Sequence, residues 1–219
     1  MTDRQLIDDQ IAYYRARAAE YDATSTPEGD PFAADGDRIR AALRAFAPRG
    51  RVIELAAGTG QWTGLLAEYA DTLVATDASP EMLALNAAKV GEPSVEYRIA
   101  DAFGLPPSHD YDAVVVGFFL SHVPPSHFGA FWSVVEGLLA PGGRCFFMDE
   151  ADHGLWDEDW VDREAGIVRR PLTDGRVHLA IKVLWRPEDL RARLAALGWR
   201  IEIETAGPFL WGSGSPRSS

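Results

Sequence analysis

The chain has 219 residues, 47% of them hydrophobic, and a formal charge of −12, which suits one domain, or one domain with a cap, built around a real core. Only two lysines occur, Lys89 and Lys182, so a phosphate backbone or an anionic membrane finds no basic face, and neither nucleic acid nor membrane is an expected partner. The longest apolar run, residues 113–120, is strand-sized, and Cys145 is the only cysteine; a signal peptide, a membrane span, a disulfide and a cysteine zinc cage are not expected, and the chain reads as soluble and cytoplasmic.

Apolar positions at Leu6, Ile7, Ile11, Tyr14 and Ala18 give residues 4–21 a helical period. The Tyr- and Arg-rich part, residues 13–22, reads either as a helix packed on the domain or as a lid with Tyr14, Arg17 or Tyr21 facing a ligand. Pro27, Gly29, Pro31 and Gly36 mark residues 23–36 as a loop. A helix over 37–46 leads through Pro48-Arg49-Gly50 to a short apolar strand, residues 52–55. That strand breaks into Ala56-Ala57-Gly58-Thr59-Gly60, and a helix over 62–70 follows. A glycine turn between strand and helix lets a ligand approach the backbone closely.

Residues 72–76 form a second strand ending at Asp77. Ser79 suits an N-cap, Pro80 the first helical position and Glu81 the first turn of a helix reaching Lys89. Residues 94–100 alternate as a third strand ending at Asp101. Residues 112–117 are a fourth strand, apolar on both faces as buried parallel strands are. A helix over 126–139, a turn at Pro141-Gly142-Gly143 and a fifth strand over 144–148 complete the alternation, which predicts an open parallel sheet with helices on both faces.

The pattern changes at residue 150. Asp152, Asp157, Glu158, Asp159 and Asp162 make an acidic stretch with Trp156 and Trp160 among them. Residues 167–172 and 176–185 read as strands joined by Thr173-Asp174-Gly175, a strong hairpin signal. A helix over 187–197 stops at Gly198, and residues 200–205 and 208–211 read as closing strands. The expected organisation is an N-terminal helix or lid (1–36), a core (37–150), a flap over the acceptor pocket (151–185), a closing helix and strands (186–211), and a Gly/Ser-rich disordered tail (212–219).

Ligands of open α/β sheets bind beyond the carboxyl ends of the strands. Here those ends carry the Gly58/Gly60 turn, Asp77 and Asp101. Asp77 can accept both ribose hydroxyls of a nucleoside, or it can simply cap the next helix. Met82 can pack on adenine or fill the core. Asp101-Ala102-Phe103 can offer a carboxylate and a ring to the base, or form a plain turn. A dinucleotide fingerprint needs Gly-x-Gly-x-x-Gly, and position 63 is threonine. Glu54 also sits badly near a pyrophosphate, whereas a sulfonium and an amino group tolerate carboxylates.

Taken in order, these residues resemble a class I S-adenosylmethionine-dependent methyltransferase of the small-molecule type. The matching pieces are Glu54-Leu55-Ala56-Ala57-Gly58-Thr59-Gly60, Thr76-Asp77-Ala78-Ser79-Pro80-Glu81-Met82-Leu83 and Ala100-Asp101-Ala102-Phe103. Phe118-Phe119-Leu120-Ser121-His122-Val123-Pro124 and Leu138-Leu139-Ala140-Pro141-Gly142-Gly143-Arg144 continue the set. The resemblance covers about residues 50–150, departing at Ala57, where many relatives have cysteine. It implies a Rossmann-like α/β fold with a seven-stranded, mostly parallel sheet, the last strand antiparallel, to which the sequence adds an inserted hairpin flap. It implies S-adenosylmethionine as cofactor, held by Glu54, Ala56, Gly58, Gly60, Asp77, Met82, Asp101, Ala102 and Phe118. Ala78, Phe103 and Tyr14 complete the expected cofactor set.

The expected activity is methyl transfer to an oxygen or nitrogen, a carboxylate included, of a small, partly aromatic metabolite. A nicotinamide-dependent oxidoreductase on the same sheet and a non-catalytic module that binds the donor are the alternatives. An alcohol or phenol acceptor needs a base, and a carboxylate does not. His122, after the fourth strand, is the expected catalytic residue, as base or positioning group, or else it holds the turn at Val123-Pro124-Pro125. Tyr21, Asp149, His153 and Trp156 are the expected acceptor-binding residues. Glu150 shares the edge with Asp149, while Trp156 and Trp160 can equally form the flap's own small core. No His/Asp/Glu spacing suggests a metal, and the acceptor and oligomeric state stay open.

Overall fold

The computed structural model describes residues 2–25, 29–152, 154 and 158–217. Helix α1 (Asp3–Arg17) starts at Thr2, whose side chain accepts the Gln5 N–H while the Gln5 side chain accepts the Thr2 N–H. A 3₁₀ turn (Ala18–Glu20) leads into α2 (Tyr21–Ser25), and α3 (Ala33–Phe46) precedes β1 (Arg51–Leu55). Then come α4 (Thr63–Ala67), β2 (Thr72–Asp77), α5 (Pro80–Val90), β3 (Val95–Ile99), β4 (Tyr111–Gly117), α6 (Phe128–Leu138) and β5 (Leu139–Glu150). The chain closes through β6 (Trp160–Asp162), β7 (Ile167–Pro171), β8 (Val177–Ile181), α7 (Pro187–Ala196), β9 (Trp199–Ala206) and β10 (Phe209–Pro216). No helix among the described residues is long and apolar enough to cross a membrane.

The main sheet has seven strands in the order β3-β2-β1-β4-β5-β10-β9. Strands β1 to β5 pair in parallel, and β10 runs antiparallel to both β5 and β9. The order reverses between β1 and β4, which opens a crevice at their carboxyl ends. Strands β1, β2, β4 and β5 are buried along most of their length because both faces are covered, whereas the edge strands β3 and β9 are largely exposed. Val52, Val115, Phe146 and Met148 pack with Ile39, Leu43 and Leu66 from α3 and α4. Their neighbours Ile53, Val114, Val116 and Phe147 pack with Phe131 and Trp132 of α6 and Leu190 and Leu194 of α7. Trp132 is the hub of the second cluster, with ring centroids 4.9 Å from Trp199 and 5.5 Å from Phe147. Trp132→Ala is expected to cost about 3–5 kcal/mol in a denaturant titration, as deletion of a fully buried aromatic does; a loss within the surface range would show that the cluster collapses around the gap.

Several boundaries differ from the sequence expectation, each for a local reason. Helix α3 begins at Ala33, before Gly36, because Asp30 caps the turn through the Phe32 N–H at 2.9 Å and because Ile39, Leu43 and Phe46 are buried; a helical glycine costs only about 1 kcal/mol. Helix α4 is shorter than expected and starts at Thr63. Pro141-Gly142-Gly143 lies within β5, where the register against β4 shifts between Tyr111 and Ala113, as a bulge rather than a separate turn. The flap is a three-stranded sheet, β6-β7-β8, since Trp160 of the acidic stretch pairs with Val168.

The largest correction concerns the tail. Residues 212–216 are not disordered but complete β10, paired with β9 along their length and with β5 as far as Gly214. Their glycines allow close approach: a Cβ on Gly212 would lie 2.5 Å from the Phe147 ring, and one on Gly214 would lie 1.9 Å from the Arg200 carbonyl oxygen. Gly/Ser content here serves packing.

Candidate functional site

Two residues other than glycine take the left-handed conformation at the crevice, Ala56 with φ +52° after β1 and Phe118 with φ +53° after β4. Each such residue stores about 1–3 kcal/mol of strain. The Ala57 N–H donates to the Thr76 carbonyl at 2.8 Å and the Phe118 N–H to the Met148 carbonyl at 2.8 Å, so neighbouring strands hold both turns. Phe118 stacks on Trp62 with centroids 6.0 Å apart.

The Asp77 carboxylate ties the turns together. It accepts the Gly58 N–H at 2.9 Å on one oxygen and the Ser79 N–H at 2.8 Å on the other. Each oxygen therefore keeps lone pairs for a ligand. Burial pushes this carboxyl up, and the Ser79, Gly58 and Ala78 N–H groups pull it back. Ser79 also caps α5 by accepting the Met82 N–H at 3.1 Å. Asp101 accepts the Phe103 N–H at 3.0 Å, and its other oxygen lies 3.5 Å from Arg4 of α1.

These groups surround one cavity that opens to solvent at its mouth. Of the expected cofactor set, Ala56, Gly58, Asp77, Ala78, Met82, Asp101, Ala102, Phe103, Phe118 and Tyr14 line it, and Tyr21 and His122 join them. Glu54 and Gly60 are not among the lining residues. The Glu54 side chain is buried and accepts the Thr63 hydroxyl at 2.6 Å, with Asn86 donating to that hydroxyl at 2.8 Å. Burial pushes Glu54 up to about 8, against the Thr63 hydrogen bond and with the Asp77 charge adding to the rise. Gly60, at φ +86°, makes room for Asn86, whose side-chain oxygen would lie 2.6 Å from a Cβ there.

Asp149 also stands behind the wall rather than in it. It is fully buried, accepts the Ser121 and Glu150 N–H groups at 2.7 Å each, and so anchors the loop after β4. Burial pushes it up to about 6, opposed first by the Lys182 charge. His153 and Trp156 lie outside the described residues.

At the β4 end of the cavity, His122 Nδ1 lies 2.7 Å from the Ile181 carbonyl and Nε2 lies 2.8 Å from the Tyr14 hydroxyl. A carbonyl only accepts, so Nδ1 carries the proton, Nε2 is bare and Tyr14 donates. Burial lowers His122 to about 3, helped by the charges of Lys182, Arg170 and Arg17. Burial also raises Tyr14 well above its ordinary value, with Tyr21 and Tyr13 adding to it. Neither group is a strong base near neutrality. Lys182 pairs with Glu150 and Arg170 with Glu158 behind this corner.

Sequence reasoning missed Gln10. It is buried, lines the cavity, accepts the Ile181 N–H at 2.9 Å and donates to the His122 carbonyl at 3.3 Å. Its signal was the helical spacing Ile7, Gln10, Ile11, Tyr14, which puts it on the buried face. Ser79, Phe119, Ile7 and Ile11 also line the cavity, although the sequence gives them only cap, motif and helix-face roles.

A family model described as a methyltransferase domain matches residues 52–143. The chain is 41% identical to a protein whose solved structure is described as a DhpI-SAH complex, with a TM-score of 0.85 and all of both chains covered. A second structure, described as a DhpI-SAM-HEP complex, gives the same identity and TM-score over 99% of this chain and 100% of that one. Among curated relatives, the demethylmenaquinone methyltransferase of Clavibacter sepedonicus is 38% identical over 108 residues, 48% of this chain and 43% of that protein. An uncharacterized methyltransferase of Synechocystis is 35% identical over 48% of this chain and 49% of its own length. The chain thus spans about half the length of these two curated relatives.

Proposed function

The chain belongs to the class I S-adenosylmethionine-dependent methyltransferases, and we propose that it methylates an oxygen or nitrogen of a small, partly aromatic molecule, most favourably a carboxylate oxygen. The observation that carries the donor reading is the Asp77 carboxylate between two turns, with lone pairs left for two ribose hydroxyls. Met82 and Asp101 to Phe103 would flank the adenine, and Tyr14, Phe118 and His122 the methyl end. Glu54 and Gly60 would support the cofactor from behind the wall. The relative of 41% identity, with structures described as SAH and SAM complexes, supports the same cofactor.

The nicotinamide alternative fares worse on one detail. The Gly58 N–H, which a pyrophosphate would want, is spent on Asp77, and a carboxylate there repels a phosphate.

When bound, the donor supplies a methyl group on a good leaving group. The chain's task is alignment, which can account for about 7–11 kcal/mol of barrier. Strained turns at Ala56 and Phe118 set the walls, and α1 covers the cavity with Ile7, Gln10, Ile11 and Tyr14. His122 is neutral and its Nε2 is occupied by Tyr14, so the acceptor must arrive with a lone pair ready. A carboxylate meets that need, because it carries its lone pairs without having to lose a proton near neutrality. Tyr21 would face this acceptor, with Asp149 acting indirectly through the loop it anchors; His153 and Trp156 keep their proposed acceptor role.

Thermal unfolding tests the donor, since a ligand at a hundred times its dissociation constant adds about 2.7 kcal/mol. S-adenosylhomocysteine is expected to stabilise and NADH to leave the transition unmoved; the reverse result selects the oxidoreductase. A methyl-labelled donor supplied with small aromatic carboxylic acids then tests turnover. Binding without label transfer to any acceptor in a metabolite extract would select the non-catalytic module.

A further inference from the structure

Hydrogen bonds close a ring between α1, β8 and the turn after β4. The Ile181 N–H donates to Gln10, Gln10 donates to the His122 carbonyl, and His122 Nδ1 donates back to the Ile181 carbonyl. This ring fixes the imidazole in position and in tautomer, because the Ile181 oxygen has no proton to give. Tyr14, one turn after Gln10, meets the bare Nε2 at 2.8 Å and can only donate. A tyrosine has one hydroxyl proton. Once it is committed, the oxygen is an acceptor and nothing else, and no donor among the described residues reaches it. The ring itself is held edge-on by Tyr13, Tyr21 and His122, with centroids 5.0, 6.1 and 5.3 Å away.

We propose that His122 is a positioning residue for Tyr14, turning its proton away so that the phenolic oxygen shows the cavity lone pairs only, and that the Tyr14 oxygen thereby favours the cationic sulfonium of the donor over the neutral thioether of the product. The inference rests on the methyltransferase reading. A fixed acceptor interacts far better with a positive centre than with a neutral one. The cations around this corner are Lys182, Arg170 and Arg17. Glu150 and Glu158 offset the first two, so the oxygen is not swamped by them. Gln10 keeps the ring of bonds closed and so acts one step further back.

Calorimetric titration of wild type, Tyr14→Phe, His122→Phe and the double variant with S-adenosylmethionine and with S-adenosylhomocysteine tests this. Tyr14→Phe keeps the aromatic packing and removes only the oxygen. In each single variant the preference for the sulfonium is expected to fall roughly tenfold, while homocysteine-product affinity stays within about threefold. The double variant should fall no further than Tyr14→Phe alone, because His122 acts through Tyr14. Product binding doubles as the folding control. Equal weakening of both ligands in Tyr14→Phe, an unchanged ratio, or additive falls in the double variant would overturn the proposal while leaving the methyltransferase reading standing. Failure of wild type to bind either ligand would sink both.

Discussion

Asp77→Ala is expected to weaken S-adenosylhomocysteine binding roughly a hundredfold in calorimetric titration, with the thermal midpoint of the free protein moved far less. The size follows from what the carboxylate does. It accepts N–H groups from Gly58 and Ser79, fixing both turns around the cavity, and would accept the ribose hydroxyls with its remaining lone pairs. A hydrogen bond to a charged group contributes about 1.5–3 kcal/mol, so losing the sugar contacts alone accounts for most of the drop. The fold should survive, because Asp77 sits at the end of β2 and the freed N–H groups face a cavity that water can enter. Asp77→Asn should be nearly as damaging. Its amide nitrogen would have to face one of two N–H donors, and it brings no charge. An affinity unchanged in both variants would remove Asp77 from the site and with it the basis for placing the nucleoside.

The main sheet was readable because parallel strands buried on both faces leave continuous apolar runs, and because each run stops at a residue with a job. Asp77 could be picked out from the N-cap and proline that follow it, a local pattern that the helix start itself requires. What sequence pattern does not carry is the direction in which a polar side chain is used up. Glu54 and Asp149 read as site residues by type and position, yet both point into hydrogen bonds inside the protein. Gln10 broke the apolar count on α1 and was passed over, although its spacing put it on the buried face. Gly212 and Gly214 looked like loose chain because only the partner strands reveal that a Cβ would not fit. For His122 the sequence allows both base and framework, and what decides between them is a carbonyl about sixty residues away in sequence, in β8.

Raising the pH from 6.5 to 8 is expected to destabilise the free protein, and Glu54→Gln to remove that slope. Glu54 is buried and its carboxyl is pushed up to about 8, against an ordinary value near 4.3 in the unfolded chain. Between those values the folded state keeps a proton that the unfolded state has released. Stability therefore falls as pH rises, by about 1.4 kcal/mol per unit, and levels off above about 8. Below 6.5 other groups intervene. His122, lowered to about 3, makes the unfolded state the better proton binder, so stability there rises with pH. Asp149, raised to about 6, works in the opposite sense over the same acidic range. Above 6.5 what remains of these two titrations acts in opposite senses, and the slope reports chiefly Glu54. The window from 6.5 to 8 then holds about 2 kcal/mol, or roughly 4–8 °C in melting temperature for a chain of this size. Glutamine keeps the shape and can still accept the Thr63 hydroxyl, but it has no proton to lose. Melting curves of wild type and Glu54→Gln should converge at mildly acidic pH and separate steadily toward pH 8, the variant being the more stable. Parallel curves across that range would mean that Glu54 is already ionised in the folded chain, and that the neutral Thr63 hydroxyl is enough to hold it so.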